Sequence, residues 1–261
     1  MPIIIDRTFL NFKKRDIFLA EYPYDTGNEF DVVRFNYCKN RIDVPGFTRE
    51  EKLTSTIDLR QESEEIWNNM DRKLRQKIKK AAKENIIGKM NENFNEFHSI
   101  SREFVKQKKF TPGIGAILGL DIPTVEIMKK YGTLFTAELN GEVLSGHLYL
   151  EDTENILAWV STSKRLAVDK ETSKLINLAN CLLHWQAITY AKEKSIRTFN
   201  WGGISLDPNK DSINAYKLSF GGHIEPSYFY SRVNNRLYEK LSSLNMWMYR
   251  LRSTPQKTIP S

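Results

Sequence analysis

Cysteine is scarce in this chain. Cys38 and Cys181 are its only two, far apart and without the short spacing of a metal site. Cys181 falls in a run that reads as a buried helix, which makes it a structural thiol. Histidine is scarce too: His98, His147, His184 and His223 include no pair at metal-ligand spacing, so no metal centre is expected. Long apolar runs are also missing. None approaches the ~20 residues that a membrane-spanning helix needs. Met1-Pro2-Ile3-Ile4-Ile5 meets Asp6-Arg7 too soon to form the core of a secretion signal. These absences lead to the expectation of a cytoplasmic protein in a reducing compartment.

What is present describes a folded protein. Hydrophobic residues make up 40% and aromatics 11% of 261 residues, which suits one large domain or a domain with a smaller subdomain. Disorder is expected only over 253–261, a polar stretch with two prolines. The formal charge of +7 suits an anionic partner: a phosphorylated cofactor, a nucleotide sugar, a tRNA or an anionic membrane surface.

Residues 1–60 read as β-rich. Segments 16–21 and 31–37 alternate polar and apolar residues around a turn-forming stretch at 22–28, Pro45-Gly46 marks another turn, and 54–59 reads as a short strand. Ser63 reads as a helix cap with Glu64 and Glu65 in the first turn. Trp67, Met70, Leu74, Ile78 and Ala81 then recur at helical spacing as a buried stripe, with a run of cations from Arg72 to Lys83 on the other faces. A second helix is expected over 93–108, with Phe94, Phe97, Ile100 and Phe104 inward. A glycine-punctuated loop over 111–121 and a short helix over 123–131 follow. Next comes a β-meander: 132–139, the Asn140-Gly141 turn, 143–151 and 156–162. A long helix over 174–194, with Leu175, Leu178, Leu182, Trp185 and Ile188 inward, leads into a strand over 198–201. A short helix, a strand over 228–233 and an amphipathic helix over 235–251 complete the chain, without internal repeats.

Two motifs carry chemistry. Asn200-Trp201-Gly202-Gly203-Ile204 reads as a strand that breaks into a glycine turn, where backbone can approach a ligand closely. Asn214-Ala215-Tyr216-Lys217-Leu218-Ser219-Phe220-Gly221-Gly222 puts a phenol beside an ammonium, an acid and a cation, before a second glycine pair.

The element order of the second half resembles the core of the GNAT acyltransferase fold. Thr56-Ile57-Asp58-Leu59, Glu64-Glu65-Ile66-Trp67 and the stretch from Lys73 to Ala81 resemble its Fem-type branch, the aminoacyl transferases of peptidoglycan cross-bridges and their relatives. Phe199-Asn200-Trp201-Gly202-Gly203 and the run from Tyr216 to Gly222 resemble that branch's glycine turn and aromatic-Lys motif. The likeness spans residues 55–235. It implies an α+β fold, with a mixed, mostly antiparallel sheet flanked by helices. Residues 1–60 would form a small β-rich N-terminal subdomain (a vestigial first half), and 61–261 the GNAT-like acyltransferase domain. Two departures stand out. Fem-type transferases have two GNAT-like halves, often with a coiled-coil arm, whereas residues 1–60 are short for a complete half and nothing reads as an arm. The loop over 163–172 also lacks the glycines with which CoA-using GNAT enzymes cradle pyrophosphate, as it does in Fem-type proteins.

The resemblance also implies roles. Acyl transfer to an amine needs a polarised carbonyl, a neutral amine and a protonated leaving group. The strand over 156–162 would splay from 198–201, and the acyl carbonyl would accept a hydrogen bond from backbone N–H near Val160 or Ser161, worth ~3 kcal/mol in the transition state. The N-terminus of the long helix, at Thr172, would meet donor phosphates, with Lys164 and Arg165 adding charge. Tyr216 stands where GNAT enzymes place the tyrosine that protonates the leaving thiolate. Lys217 matches the Fem-type lysine that binds the donor or stabilises developing negative charge. Asn200, Trp201, Gly202 and Gly203 would line the acceptor end, and His147 and Glu138 are candidate bases. Without the resemblance, Tyr216 reads as a packing residue and Lys217 as a solvated one.

The implied activity is transfer from a thioester donor, acyl-CoA (acetyl-CoA foremost) or a carrier protein, to a primary amine on a small molecule. An amino sugar or a cell-envelope precursor would fit. An aminoacyl-tRNA-dependent Fem-type transferase is the alternative, favoured by the motifs and the basic helix. A non-catalytic module holding anionic ligands is the third reading. No DNA partner is expected. The terminal helix, with Trp247, Met248, Tyr249 and Arg250, could touch a membrane or pack on the core.

Overall fold

Residues 132–139 and 142–151 are buried on both faces along nearly their whole length, and the architecture follows from covering them on both sides. A computed structural model describes residues 1–9, 11–107, 122–206 and 211–241. The N-terminal strands are β1 (Ile3–Phe9), β2 (Phe12–Phe18), β3 (Val32–Cys38) and β4 (Thr48–Asp58). Helices α1 (Ser63–Asn69) and α2 (Arg72–Lys83) precede β5 (Ile87–Met90), α3 (Phe94–Gln107) and α4 (Val125–Tyr131). Strands β6 (Gly132–Leu139), β7 (Glu142–Glu151) and β8 (Asn155–Ser163) form the meander, and a 3₁₀ turn (Lys164–Leu166) leads into α5 (Lys170–Glu193). The chain continues through β9 (Thr198–Ile204), α6 (Asp211–Leu218) and β10 (His223–Val233). Residues 236–241 are helical; the remainder of the expected terminal helix and the 111–121 loop lie outside the described residues.

The strands form one ten-stranded sheet in the order β1-β2-β3-β10-β4-β9-β8-β7-β6-β5. Only β2–β3 and β8–β9 are parallel, so the sheet is mixed and mostly antiparallel, as expected. One face carries α1, α2 and α5: Ile66, Leu74, Ile78 and Ala187 pack against Ile57, Phe135, Tyr149 and Phe199. Side chains of this size contribute roughly 1.5–3 kcal/mol each on leaving water. On the other face Phe97 of α3 and Met128 of α4 cover Leu134 and Leu148. That face also receives Ile5 and Phe18, which pack with Leu150 and Leu157. β1 and β7 are far apart in strand order, so this contact requires the sheet to curl, bringing β1 and β2 over β7 and β8.

Several expectations shift in detail. The buried stripe from Trp67 to Ala81 belongs to two helices rather than one. Met70 is extended, with ψ 149°, and the Asp71 N–H donates to Ser219 O at 2.8 Å, a tertiary partner that ends the first helix. Ser63 is the first helical residue, while Glu62 holds the cap position without a side-chain hydrogen bond. β4 and β10 extend well past the expected 54–59 and 228–233, because each is hydrogen-bonded on both edges. β1 and β5 are additional strands whose pairing comes from β2 and β6. Asn140 and Gly141 both adopt positive φ, 52° and 80°, as the Asn-Gly hairpin signal requires.

Candidate functional site: a split between two parallel strands

β8 and β9 are registered only through Asn155–Thr198, Ile156–Phe199 and Leu157–Asn200. Beyond that point neither strand pairs with the other, and a gap opens. β8 is bulged at the same level. Leu148 pairs with Val160 and Tyr149 with Ala158, which leaves Trp159 as the extra residue. A bulge of this kind frees backbone groups from the ladder and re-aims side chains. Trp159 and Val160 accordingly pack toward α3 and α4, while Ser161 is exposed opposite His147. The backbone of Val160 and Ser161 therefore borders the gap.

The other wall is the glycine turn. Gly202 has φ 73°, and a Cβ there would lie 3.0 Å from Tyr37 Oη and 3.6 Å from Ala158 O. Only glycine meets both constraints without strain. Asn200 Oδ1 accepts from the Gly202 N–H at 2.7 Å and lies 2.7 Å from the Thr54 hydroxyl, which is also 2.9 Å from Gly202 O. Asn200 thus shapes the turn as well as bordering the gap.

Tyr216 and Lys217, neighbours on α6, point in different directions. The Tyr216 hydroxyl is directed at Cys181 Sγ, 4.0 Å away, with its ring 5.9 Å from His184 and 6.4 Å from Trp201. Burial pushes the phenol well above its usual value, with the Cys181 contact acting in the same sense, so it holds its proton and can serve as an acid. Lys217 Nζ donates to Gly203 O at 2.6 Å, and burial lowers it to about 8. The ammonium therefore touches the glycine turn itself.

His147, on β7, stacks on His184 of α5 with ring centroids 3.9 Å apart. His184 Nδ1 lies 2.6 Å from Tyr149 Oη. Burial holds both imidazoles neutral. His147 is lowered to about 3, with Asn180 offsetting this slightly, and His184 lies well below its ordinary value, with His147 and Lys217 adding to the effect. Asn180 is near His147, yet ring and amide miss hydrogen-bond geometry, and both His147 nitrogens, Asn180 Oδ1 and Trp201 Nε1 are buried without a partner. Buried polar groups are nearly always paired, and these four unpartnered atoms in three residues form a polar cluster inside the helix-side core, next to the stacked imidazoles.

Sequence reasoning passed over His184. The expected inward stripe of α5 was narrow, whereas Ile176, Cys181, His184 and Ala187 are all buried because α5 is covered by the sheet on one side and α2 on another. Its place three residues after Cys181 and four before Ile188 was the available signal.

The residues expected to hold donor phosphate are arranged differently from a phosphate cradle. Asp169 caps α5: its carboxylate accepts from the Glu171 and Thr172 N–H groups at 2.8 and 3.0 Å and from the Thr172 hydroxyl at 2.6 Å. These bonds hold the carboxyl below its usual range, so an anion occupies the helix end. Lys164 pairs with Glu142 at 2.6 Å, and Arg165 is exposed on the 3₁₀ turn. Glu138 lies away from the gap, bonded to Lys89 and Asn93.

Asn200 and Trp201 point to opposite faces of the sheet. Trp201 packs against His184 and Phe220, at 4.5 and 4.4 Å between centroids, in the helix-side core. Asn200 faces a polar groove of about 340 Å³ on the curled side, whose walls include Tyr37, Thr54, Thr56, Asp58 and Glu225. Tyr37 is a second residue that the sequence did not single out. Its φ is 61°, and its hydroxyl lies against the glycine turn, 3.0 Å from where a Gly202 Cβ would stand.

The same architecture occurs in solved structures. FemX superposes with a TM-score of 0.54 at 12% identity, over 92% of this chain and 86% of FemX. L-PGS from Bacillus licheniformis superposes with a TM-score of 0.50 at 14% identity, over 94% of this chain and 85% of that one. No family model and no curated protein matches the chain. At these identities the likeness defines the fold: it is the GNAT-like acyltransferase fold of Fem type.

Proposed function

We propose that the protein is an N-acyltransferase that moves an acyl group from an activated donor to a primary amine in the gap between β8 and β9. The observation that carries this reading is the strand split itself, bulged at Trp159, with Tyr216 packed close to Trp201 on one of its two walls. The acyl carbonyl would accept from backbone N–H near Val160 or Ser161. The amine nitrogen attacks its carbon, the C–N bond forms, and the bond to the leaving atom breaks. Tyr216 protonates that atom, the amine releases one proton to solvent, and the phenol is restored from solvent. Lys217 would stabilise negative charge beside the glycine turn. Neither His147 nor His184 suits the role of base as they stand, since burial disfavours their cations.

Two donor classes fit the carbonyl site. A thioester of CoA or of a carrier protein needs only the proton from Tyr216. An aminoacyl ester on tRNA is favoured by one further observation: Asp169 already fills the helix end where a pyrophosphate would bind. Incubation with acetyl-CoA or charged tRNA and an amine, with the amide detected by mass spectrometry, tests both. Tyr216→Phe should lower turnover by about 10²–10⁴-fold while leaving donor affinity intact. Full turnover in that variant, or no product with either donor, would count against the proposal.

A further inference from the structure

The polar groove on the curled face is built from three strands whose side chains fall in register. His223 of β10, Thr56 of β4 and Asn200 of β9 lie side by side across the sheet. Glu225 and Thr54 form the next rung beside Gly203, and Asp58 pairs with Thr198 on the other side. Alternation does the rest: Ile57, Phe199 and Trp201, between these positions, point into the helix-side core. A sheet centre with one apolar and one polar face is expected where the polar face meets solvent or a ligand. Here that face is partly covered, because Leu19 and Tyr37 also line the groove while its mouth stays open to solvent. Thr54, Thr56 and Asn200 are all buried while bordering about 340 Å³ of space. That volume suits a small molecule and no macromolecule.

The chemistry of the walls narrows the ligand. Hydroxyl, amide and charged groups share the walls about equally with apolar surface from residues such as Leu19, Tyr37, Cys38 and Pro226, so a ligand that carries both hydroxyls and a compact carbon frame is matched. Two carboxylates, Asp58 and Glu225, and two cations, Lys39 and Arg60, line the space, and Lys39 is paired with Glu154 at 3.6 Å. Asp58 is held by Arg60 through bonds of 2.9 and 2.7 Å. Glu225 has His223 at 3.6 Å and its side chain is 44% exposed, leaving room for a second cation. The groove meets the split at Asn200, which lines the groove, makes the last register pair between β8 and β9 and holds the Gly202 N–H.

We propose that this groove is the acceptor site and that the acceptor is a small, hydroxyl-bearing primary amine, its ammonium facing Glu225 and its hydroxyls facing Thr54, Thr56 and Asn200. The assignment of the amine as acceptor rests on the acyl-transfer reading; the binding chemistry does not. Before attack the ammonium gives up one proton to solvent, and the neutral nitrogen reaches the split beside Asn200, the residue that groove and split share.

Calorimetry on the full chain with glucosamine, glucose and cyclohexylamine tests the recognition. Glucosamine should bind about tenfold tighter than either, since glucose lacks the ammonium and cyclohexylamine the hydroxyls. Glu225→Gln, at a solvent-facing position, should cost glucosamine about fivefold and leave glucose unchanged. Thr56→Val should weaken both sugars by about the same factor. Equal binding of the three probes, absence of glucosamine binding, or affinities unmoved in a folded Glu225→Gln protein would overturn the proposal. Transfer is read separately. A chain that binds glucosamine through Glu225 yet acylates nothing keeps the groove and loses the acyl-transfer reading. One that acylates amines with the same KM in Glu225→Gln keeps the transfer reading and loses the groove.

Discussion

The stacked imidazoles of His147 and His184 set the acid limit of the folded state. An unfolded histidine takes up a proton below pH ~6.5. His147 in the folded chain resists until about 3, and burial holds His184 well below its ordinary value too. The unfolded state therefore binds more protons as pH falls, so stability is full above 6.5 and is lost steadily below it. The slope should approach ~1.4 kcal/mol per pH unit for each histidine. Urea titrations between pH 7.5 and 5 should show this decline, and His147→Asn should remove about half of the histidine part of the slope. An unchanged slope in that variant would refute the assignment. The sequence made His147 visible because its strand was legible, but a stack between β7 and α5 depends on a helix rotation that periodicity alone did not resolve. Tyr216 and Lys217 were legible from their motif. Their divergence, one toward Cys181 and the other toward Gly203, was not, because it depends on where α6 docks.

Elements in this protein are shaped by partners as much as by their own residues. β6 has the bounds that its alternation and the Asn140-Gly141 turn predict. The division between α1 and α2 is invisible in the stripe from Trp67 to Ala81, since all five residues keep their inward side; it appears only when Ser219 O captures the Asp71 N–H. The start of α5 carries the element-scale prediction. Asp169→Asn keeps an oxygen that can cap Glu171 and Thr172 but removes the charge that repels an anion. If a CoA thioester is the donor, its affinity should rise in Asp169→Asn, measured by calorimetry. If an aminoacyl-tRNA is the donor, the variant should leave donor binding unchanged, and sensitivity to salt should track the cations of α2 instead. A loss of affinity for both donors would contradict either assignment.

At the scale of the whole molecule, the curl of the sheet was beyond the reach of the sequence. Alternating patterns in β1 and β2 mark strands, yet the packing of Ile5 and Phe18 on Leu150 and Leu157 depends on sheet order and twist. The groove has the same origin, because Thr54, Thr56 and Asn200 become neighbours only through the register of β4, β9 and β10. β4 lies inside the sheet, between β10 and β9. Hydrogen exchange followed by mass spectrometry should find its amides from Leu53 to Asp58 among the slowest in the protein, opening only with global unfolding. Exchange there as fast as in the edge strand β5 would contradict the sheet order. The same placement bears on how the chain is made. β4 leaves the ribosome early, but its two hydrogen-bonding neighbours are encoded more than a hundred residues later. The nascent N-terminal half must therefore wait with its central strand uncommitted on both edges, exposed to chaperones or to a neighbouring chain, until β9 and β10 arrive to close it.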